Sequence, residues 1–161
     1  MFSNPRNIIV GESNVGKSTF LYQLSNFLNE NGYSVCLIDG DGDGLSDPMV
    51  DSNILHISNK NDSRLFRMVN EIDEIDIILI DDIGYLSNES LDEVSRSNKI
   101  IICTKNAHQF YQISVFKEFD NCKILKLNKT TIESDNNIID RDKYLTQLKR
   151  EIKLKSLLDE K

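Results

Sequence analysis

The chain has 161 residues, a length that suits one domain able to bury most of its apolar surface without disulfide or metal staples. Its net charge of −7 argues against non-specific nucleic-acid binding by the surface as a whole. No run approaches the roughly 20 apolar residues of a spanning helix, the start lacks a signal-peptide core, and Cys36, Cys103 and Cys122 have no C-x-x-C spacing. The sequence therefore reads as a single cytoplasmic domain over 1–161 whose thiols are small buried hydrophobes.

Asn7–Val10 reads as a short buried strand, and Gly11-Glu12-Ser13-Asn14-Val15-Gly16-Lys17-Ser18 follows it in the form G-x-x-x-x-G-K-[ST]. From Ser18 to Asn31, Phe20, Leu21, Leu24, Phe27 and Leu28 recur at helical spacing. Strand, glycine loop and helix together make the context in which this motif cradles phosphate. The glycines let backbone N–H groups curl around phosphate oxygens, and the helix N-terminus adds its dipole. Lys17 is placed to reach the β- and γ-phosphates and Ser18 to ligate Mg²⁺, with Gly11, Ser13, Asn14, Val15, Gly16 and Thr19 as further nucleotide contacts. A nucleotide-binding protein is expected.

Beyond a glycine suited to a helix C-cap, Gly32, a second strand is expected over Tyr33–Ile38 and a third over Asn53–Ile57. Leu65, Phe66, Met68, Val69 and Ile72 form a helical stripe over 63–72. Asp76–Ile80 is a continuous apolar run of the kind buried on both faces. A short helix over Asn88–Arg96, a strand over Lys99–Cys103, a helix over Ala107–Phe119, a strand over Cys122–Leu127 and a final helix over 141–158 complete the chain. Such alternation predicts a three-layer α/β P-loop fold, a mainly parallel sheet with helices on both faces.

Two strands end in carboxylates. Ile77-Ile78-Leu79-Ile80-Asp81-Asp82-Ile83-Gly84 has the form of a Walker B strand, with Asp81 delivered beside the phosphate loop to hold a Mg²⁺-bound water. Gly84 is a candidate N–H donor to a γ-phosphate, and Asp82 reads as a solvated loop carboxylate or a cap. The second strand runs into Asp39-Gly40-Asp41-Gly42-Asp43-Gly44-Leu45-Ser46-Asp47. Three readings stay open there: a switch segment whose first aspartates approach Mg²⁺ and the attacking water, a calcium loop, or an acidic turn without ligand. The calcium pattern matches at Asp39, Asp41, Asp43, Gly44 and Asp47, but Val50 stands where a bidentate Glu is needed.

Taken together, Gly16-Lys17-Ser18-Thr19, the segment from Gly32 to Asp41, and Asp76–Asp81 resemble the ParA/MinD-type ATPases, over roughly residues 7–130. The resemblance implies ATP and Mg²⁺ as cofactors and slow hydrolysis used as a switch. Lys17 and Ser18 would hold phosphate and metal, Asp39 and Asp41 would flank the hydrolytic water, Asp39 and Asp81 would serve the metal, and Asn128 would contact the base. It further implies a homodimer on ATP and a protein or DNA cargo. Two departures bear on this. Glu12 occupies the place of the family's signature lysine, and Asp81-Asp82-Ile83 replaces the usual Asp-Thr-Pro. A dethiobiotin-synthetase-like or kinase-like metabolic enzyme of the same fold, and a non-hydrolysing nucleotide-binding adaptor, are the rival readings. Asn128-Lys129-Thr130-Thr131 begins like a guanine motif but lacks its aspartate, which favours ATP.

The final helix alternates Lys143, Lys149, Arg150, Lys153 and Lys155 with Leu145, Leu148, Ile152, Leu157 and Leu158. This stripe is expected to pack on the sheet, with contact to an anionic membrane or to DNA as the alternative. His56, His108, Arg64 and Arg67 read as structural or surface residues.

Overall fold

The computed structural model describes residues 6–39, 55–57, 63–107, 122–134 and 137–159. Eight strands form one sheet: β1 (Arg6–Gly11), β2 (Val35–Asp39), β3 (Leu55–Ile57), β4 (Ile77–Asp81), β5 (Ile100–Asn106), β6 (Lys123–Leu127), β7 (Thr131–Ser134) and β8 (Asn137–Asp140). Their lateral order is β3-β2-β4-β5-β1-β6-β7-β8. The first six are mutually parallel, while β7 and β8 form an antiparallel hairpin on the β6 side. The helices are α1 (Lys17–Glu30), α2 (Ser63–Glu71), α3 (Asn88–Ser95) and α4 (Arg141–Asp159).

The apolar pattern explains the layers. All five residues of β2 and of β4 are buried, as continuous Val/Ile/Leu runs covered on both faces should be. On one face, Ile9, Leu37, Leu79, Ile102 and Leu125 pack against Phe20, Leu21, Leu24 and Leu28 of α1 and Tyr144 and Leu148 of α4. On the other, Ile8, Ile38, Ile78, Ile80, Ile101 and Cys103 meet Phe66 and Val69 of α2 and Leu91 and Val94 of α3. Each such side chain contributes about 1.5–3 kcal/mol by leaving water. The three-layer α/β fold is thus as the alternation implies. In α4, buried Tyr144 and Leu148 put the packing reading into practice.

The expected elements fall within a few residues of the observed ones, with three differences. β5 runs on through Thr104, Lys105 and Asn106, all polar, because these residues continue the pairing with β1. The β7–β8 hairpin has no counterpart in the sequence reading. The helix expected over 107–119 lies, beyond Ala107, outside the described residues, as does Asp41 with the remainder of the acidic turn. Cys36 and Cys103 are buried free thiols, as expected, and burial pushes each up to about 12.

Candidate functional site

All six parallel strands end at one edge of the sheet, the place where open α/β sheets bind ligands. Gly11 ends β1, Asp39 ends β2, Asp81 ends β4, Asn106 ends β5 and Leu127 ends β6. Register brings Gly11 opposite Asn106 and Asp39 opposite Asp81. β5 lies between β1 and β4, so Asp81 reaches the phosphate-loop side with one strand intervening.

The loop from Gly11 to Gly16 has a shape that its residues dictate. A Cβ on Gly11 would stand 2.8 Å from the Leu127 carbonyl oxygen and 2.8 Å from Val15 Cγ2, so only glycine fits. Asn14 and Gly16 both take the left-handed conformation, with φ of 62° and 85°. Glycine adopts this without a Cβ penalty and Asn tolerates it. The turn feeds α1, whose N-terminus has no side-chain cap, so an anion can satisfy its first-turn N–H groups. Asn14, Gly16, Lys17, Ser18 and Thr19 bound an open cavity of about 310 Å³ there. Lys17 Nζ donates to the carbonyls of Gly11 at 3.2 Å and Glu12 at 2.9 Å. Burial lowers the Lys17 pKa, while Asp82, Asp81 and Glu12 pull it back up. The ammonium thus lies within the field of three carboxylates.

Two polar residues that sequence reasoning passed over organise the site. Thr104, fully buried near the end of β5, donates its hydroxyl to Asp81 Oδ1 at 2.5 Å and accepts from the Asp82 N–H at 2.7 Å. Asn106 donates through Nδ2 to Ser13 Oγ at 2.7 Å, joining β5 to the phosphate loop. A polar triplet continuing an apolar strand was the available signal. Asp82 sits in the left-handed region at φ 45°, a conformation uncommon outside glycine, and its side chain accepts from the Gly84 N–H at 3.2 Å. Without nucleotide the Gly84 N–H, the candidate γ-phosphate donor, is directed to Asp82. Of the two readings for Asp82, the cap is the one seen, since its side chain caps the short turn over Ile83–Tyr85. Lys105, fully buried beside them, is pushed by burial down to about 8 against the opposing pull of Cys103 and Asp82.

Asn128, exposed just beyond β6, donates through Nδ2 to Thr131 Oγ1 at 3.4 Å. With Gly11, Glu12 and Lys126 it borders a second cavity of about 260 Å³. The Asn128 carbonyl accepts from the guanidinium of Arg141, a third residue unremarked in the sequence. Buried Asp39 and Asp81, with Ser18 across the loop, offer the hard oxygen donors that suit Mg²⁺ bound through one or two carboxylates, phosphates and water. Among the described residues there is no group of three or more His, Cys, Asp and Glu that could hold a metal ion, and the candidate calcium loop beyond Asp39 lies outside them. No helix among the described residues is long and apolar enough to cross a membrane.

A glycine loop feeding an uncapped helix, beside strand-end carboxylates on a parallel sheet, defines a P-loop nucleotide-binding protein of the nucleotide-using enzyme type. The sequence profile of the thymidine kinase family matches residues 6–128, and the chain belongs to that family. The fold is similar to that of the flagellar accessory protein FlaH from Methanocaldococcus jannaschii, at 18% identity and a TM-score of 0.55, over 84% of this chain and 75% of that one. Among curated protein sequences none matches the chain.

Proposed function

We propose that this protein is a phosphotransferase of thymidine-kinase type, moving the γ-phosphoryl group of ATP to the hydroxyl of a pyrimidine nucleoside. The observation that supports the proposal is the Thr104 hydroxyl bonded to both the Asp81 carboxylate and the backbone of Asp82, which holds two successive acidic residues beside the phosphate loop. Asp81, with Ser18 and Asp39, would hold Mg²⁺, whose charge offsets that of the phosphates. Lys17 would leave its loop carbonyls and stabilise charge on the transferred group. Asp82, held by Gly84 and lying within the field of Lys17, would take the proton of the attacking hydroxyl. The nucleoside oxygen bonds to phosphorus as the bond to the ADP oxygen breaks, so a phosphate ester, ADP and a proton result.

A second reading draws support from Asp39 and Asp81 standing opposite each other in register. Two adjacent carboxylates would suit a water as acceptor, giving the slow hydrolysis of a ParA/MinD-type switch, with its ATP-dependent homodimer and a protein or DNA partner. Either reading treats the chain as one cytoplasmic domain with Asn128 beside the base.

The test is ADP formation from Mg²⁺–ATP with and without thymidine and other nucleosides, for the wild type and Lys17→Ala. Nucleoside-dependent ADP release that Lys17→Ala abolishes supports the kinase. Release at the same rate without any nucleoside replaces it with the hydrolytic switch. Absence of ATP binding to the wild type refutes both.

A further inference from the structure

Arg141 begins α4, immediately after the hairpin has turned the chain back so that the Arg141 N–H donates to the Thr130 carbonyl at 3.1 Å. Its side chain then crosses to the phosphate loop. Nη2 donates to the Val15 carbonyl at 2.6 Å and also to the Asn128 carbonyl, while Nη1 stands 3.5 Å from where a Cβ on Gly16 would be. Burial of the guanidinium has a cost, since its Nε is enclosed without a hydrogen-bond partner.

The bond to Val15 bears on the one peptide of the loop most able to turn over. In a planar trans peptide the carbonyl and the next N–H point in opposite directions. The Val15–Gly16 peptide leads into left-handed Gly16, two residues after left-handed Asn14, and glycine at its C-terminal side can take either sign of φ. A flip would turn the Val15 oxygen inward, where it would meet phosphate, and the Gly16 N–H outward. Holding the oxygen on a cation outside the loop keeps the Gly16 N–H facing the cavity in which Lys17 and Ser18 also lie.

We infer that Arg141 is a positioning residue for nucleotide binding: it pins the Val15–Gly16 peptide in its phosphate-accepting orientation and ties the phosphate loop to the Asn128 turn. The inference rests on the nucleotide reading above and assigns the last helix a part in the site beyond packing. Arg141 acts on the triphosphate through the loop, so its loss weakens binding of the phosphates whatever base they carry.

The experiment measures affinity for Mg²⁺–ATP and for inorganic triphosphate with Mg²⁺, by calorimetry, for the wild type, Arg141→Gln, Arg141→Lys and Lys17→Ala. Thermal unfolding without ligand is run in parallel. Arg141→Gln is expected to weaken both ligands by a similar factor of roughly 10- to 100-fold, the range for a hydrogen bond to a charged group. Arg141→Lys keeps the charge on a shorter side chain whose ammonium falls short of the Nη2 position that serves both carbonyls, and is expected to fall between the two. Lys also serves if the Gln variant fails to fold. Arg141→Gln with a lowered melting temperature but affinities within twofold of wild type overturns the inference, leaving a purely structural bond. Weakening of ATP alone, with inorganic triphosphate unaffected, overturns it too, because Arg141 would then act on base or ribose. A wild type that binds neither ligand refutes the nucleotide reading itself. Binding lost in Lys17→Ala and retained in Arg141→Gln refutes only the role of Arg141.

Discussion

Replacing Thr104 by Val keeps the shape of the side chain and deletes one oxygen, which makes it the cleanest probe of how the carboxylates are held. The residue is fully buried, so no water takes over its two bonds. Loss of the donor to the Asp81 carboxylate costs about 1.5–3 kcal/mol, as hydrogen bonds to charged groups do, and stranding the Asp82 N–H costs about 1–3 kcal/mol. The two share one oxygen and are not additive, so about 3–4 kcal/mol is expected. For a domain stable by about 5–15 kcal/mol this is a large fraction. Thr104→Ser retains the hydroxyl and loses a methyl group, at about 1 kcal/mol. Urea unfolding followed by circular dichroism measures both, and the midpoints should move while the slopes do not. Equal losses for Val and Ser, within about 0.5 kcal/mol, would refute the hub and leave Thr104 a packing residue.

Asp82→Asn keeps a residue that tolerates the left-handed backbone and an oxygen for Gly84, yet removes the base. Steady-state turnover is expected to fall by about 10²- to 10⁴-fold with ATP affinity little changed. Lys105 has a folded pKa lowered to about 8 from 10.5, so the unfolded chain binds the extra proton between those values. Its contribution therefore makes stability rise with pH from about 8 to 10.5. Cys36 and Cys103, raised to about 12 from 9.0, act in the opposite sense above pH 9.0. The difference between wild-type and Lys105→Met stability across that window isolates the lysine, and parallel curves would sink the reasoning. Gly11→Ala brings a methyl within 2.8 Å of a backbone oxygen that cannot rotate away, so a loss of about 1–3 kcal/mol is expected in thermal unfolding. Leu148→Ala, in the core between α4 and the sheet, should cost about 2–5 kcal/mol if that helix is packed as described.

Much of the fold was legible because its elements carry strong local patterns. The apolar runs ending at Ile80 and Cys103 announce strands covered on both faces, and the stripe from Phe20 to Leu28 announces a helix on one of them. The hairpin was not legible for the same reason in reverse. β7 and β8 are four residues each, and apolar residues other than Ile132, Ile138 and Ile139 are missing from them. Ile138 is 70% exposed, so no alternation marks a buried face. Extending the sheet from β6 is a tertiary event, and it is what carries Arg141 to the phosphate loop.

The site divides along the same line. Residues whose role follows from their own neighbours in sequence could be read: Lys17 and Ser18 from the glycine loop, Asp81 from the strand before it. The hold of Thr104 on Asp81 and on the backbone of Asp82 could not, because it comes from lateral strand order, which no local pattern encodes. Sequence alternation says that β1, β4 and β5 are parallel neighbours of some kind; it does not say that β5 stands between the other two. Once it does, the polar end of β5 must face both the phosphate loop and the carboxylates, and a single hydroxyl can bind Asp81 and the backbone of Asp82 together. The left-handed backbone of Asp82 is then held by a neighbour 22 residues further along the chain, a separation over which local propensity carries no information. Strain of this kind persists only where the surroundings over-determine it. Its position beside Lys17 and Asp81 is therefore an independent reason, apart from any motif, to look for the chemistry at Asp82.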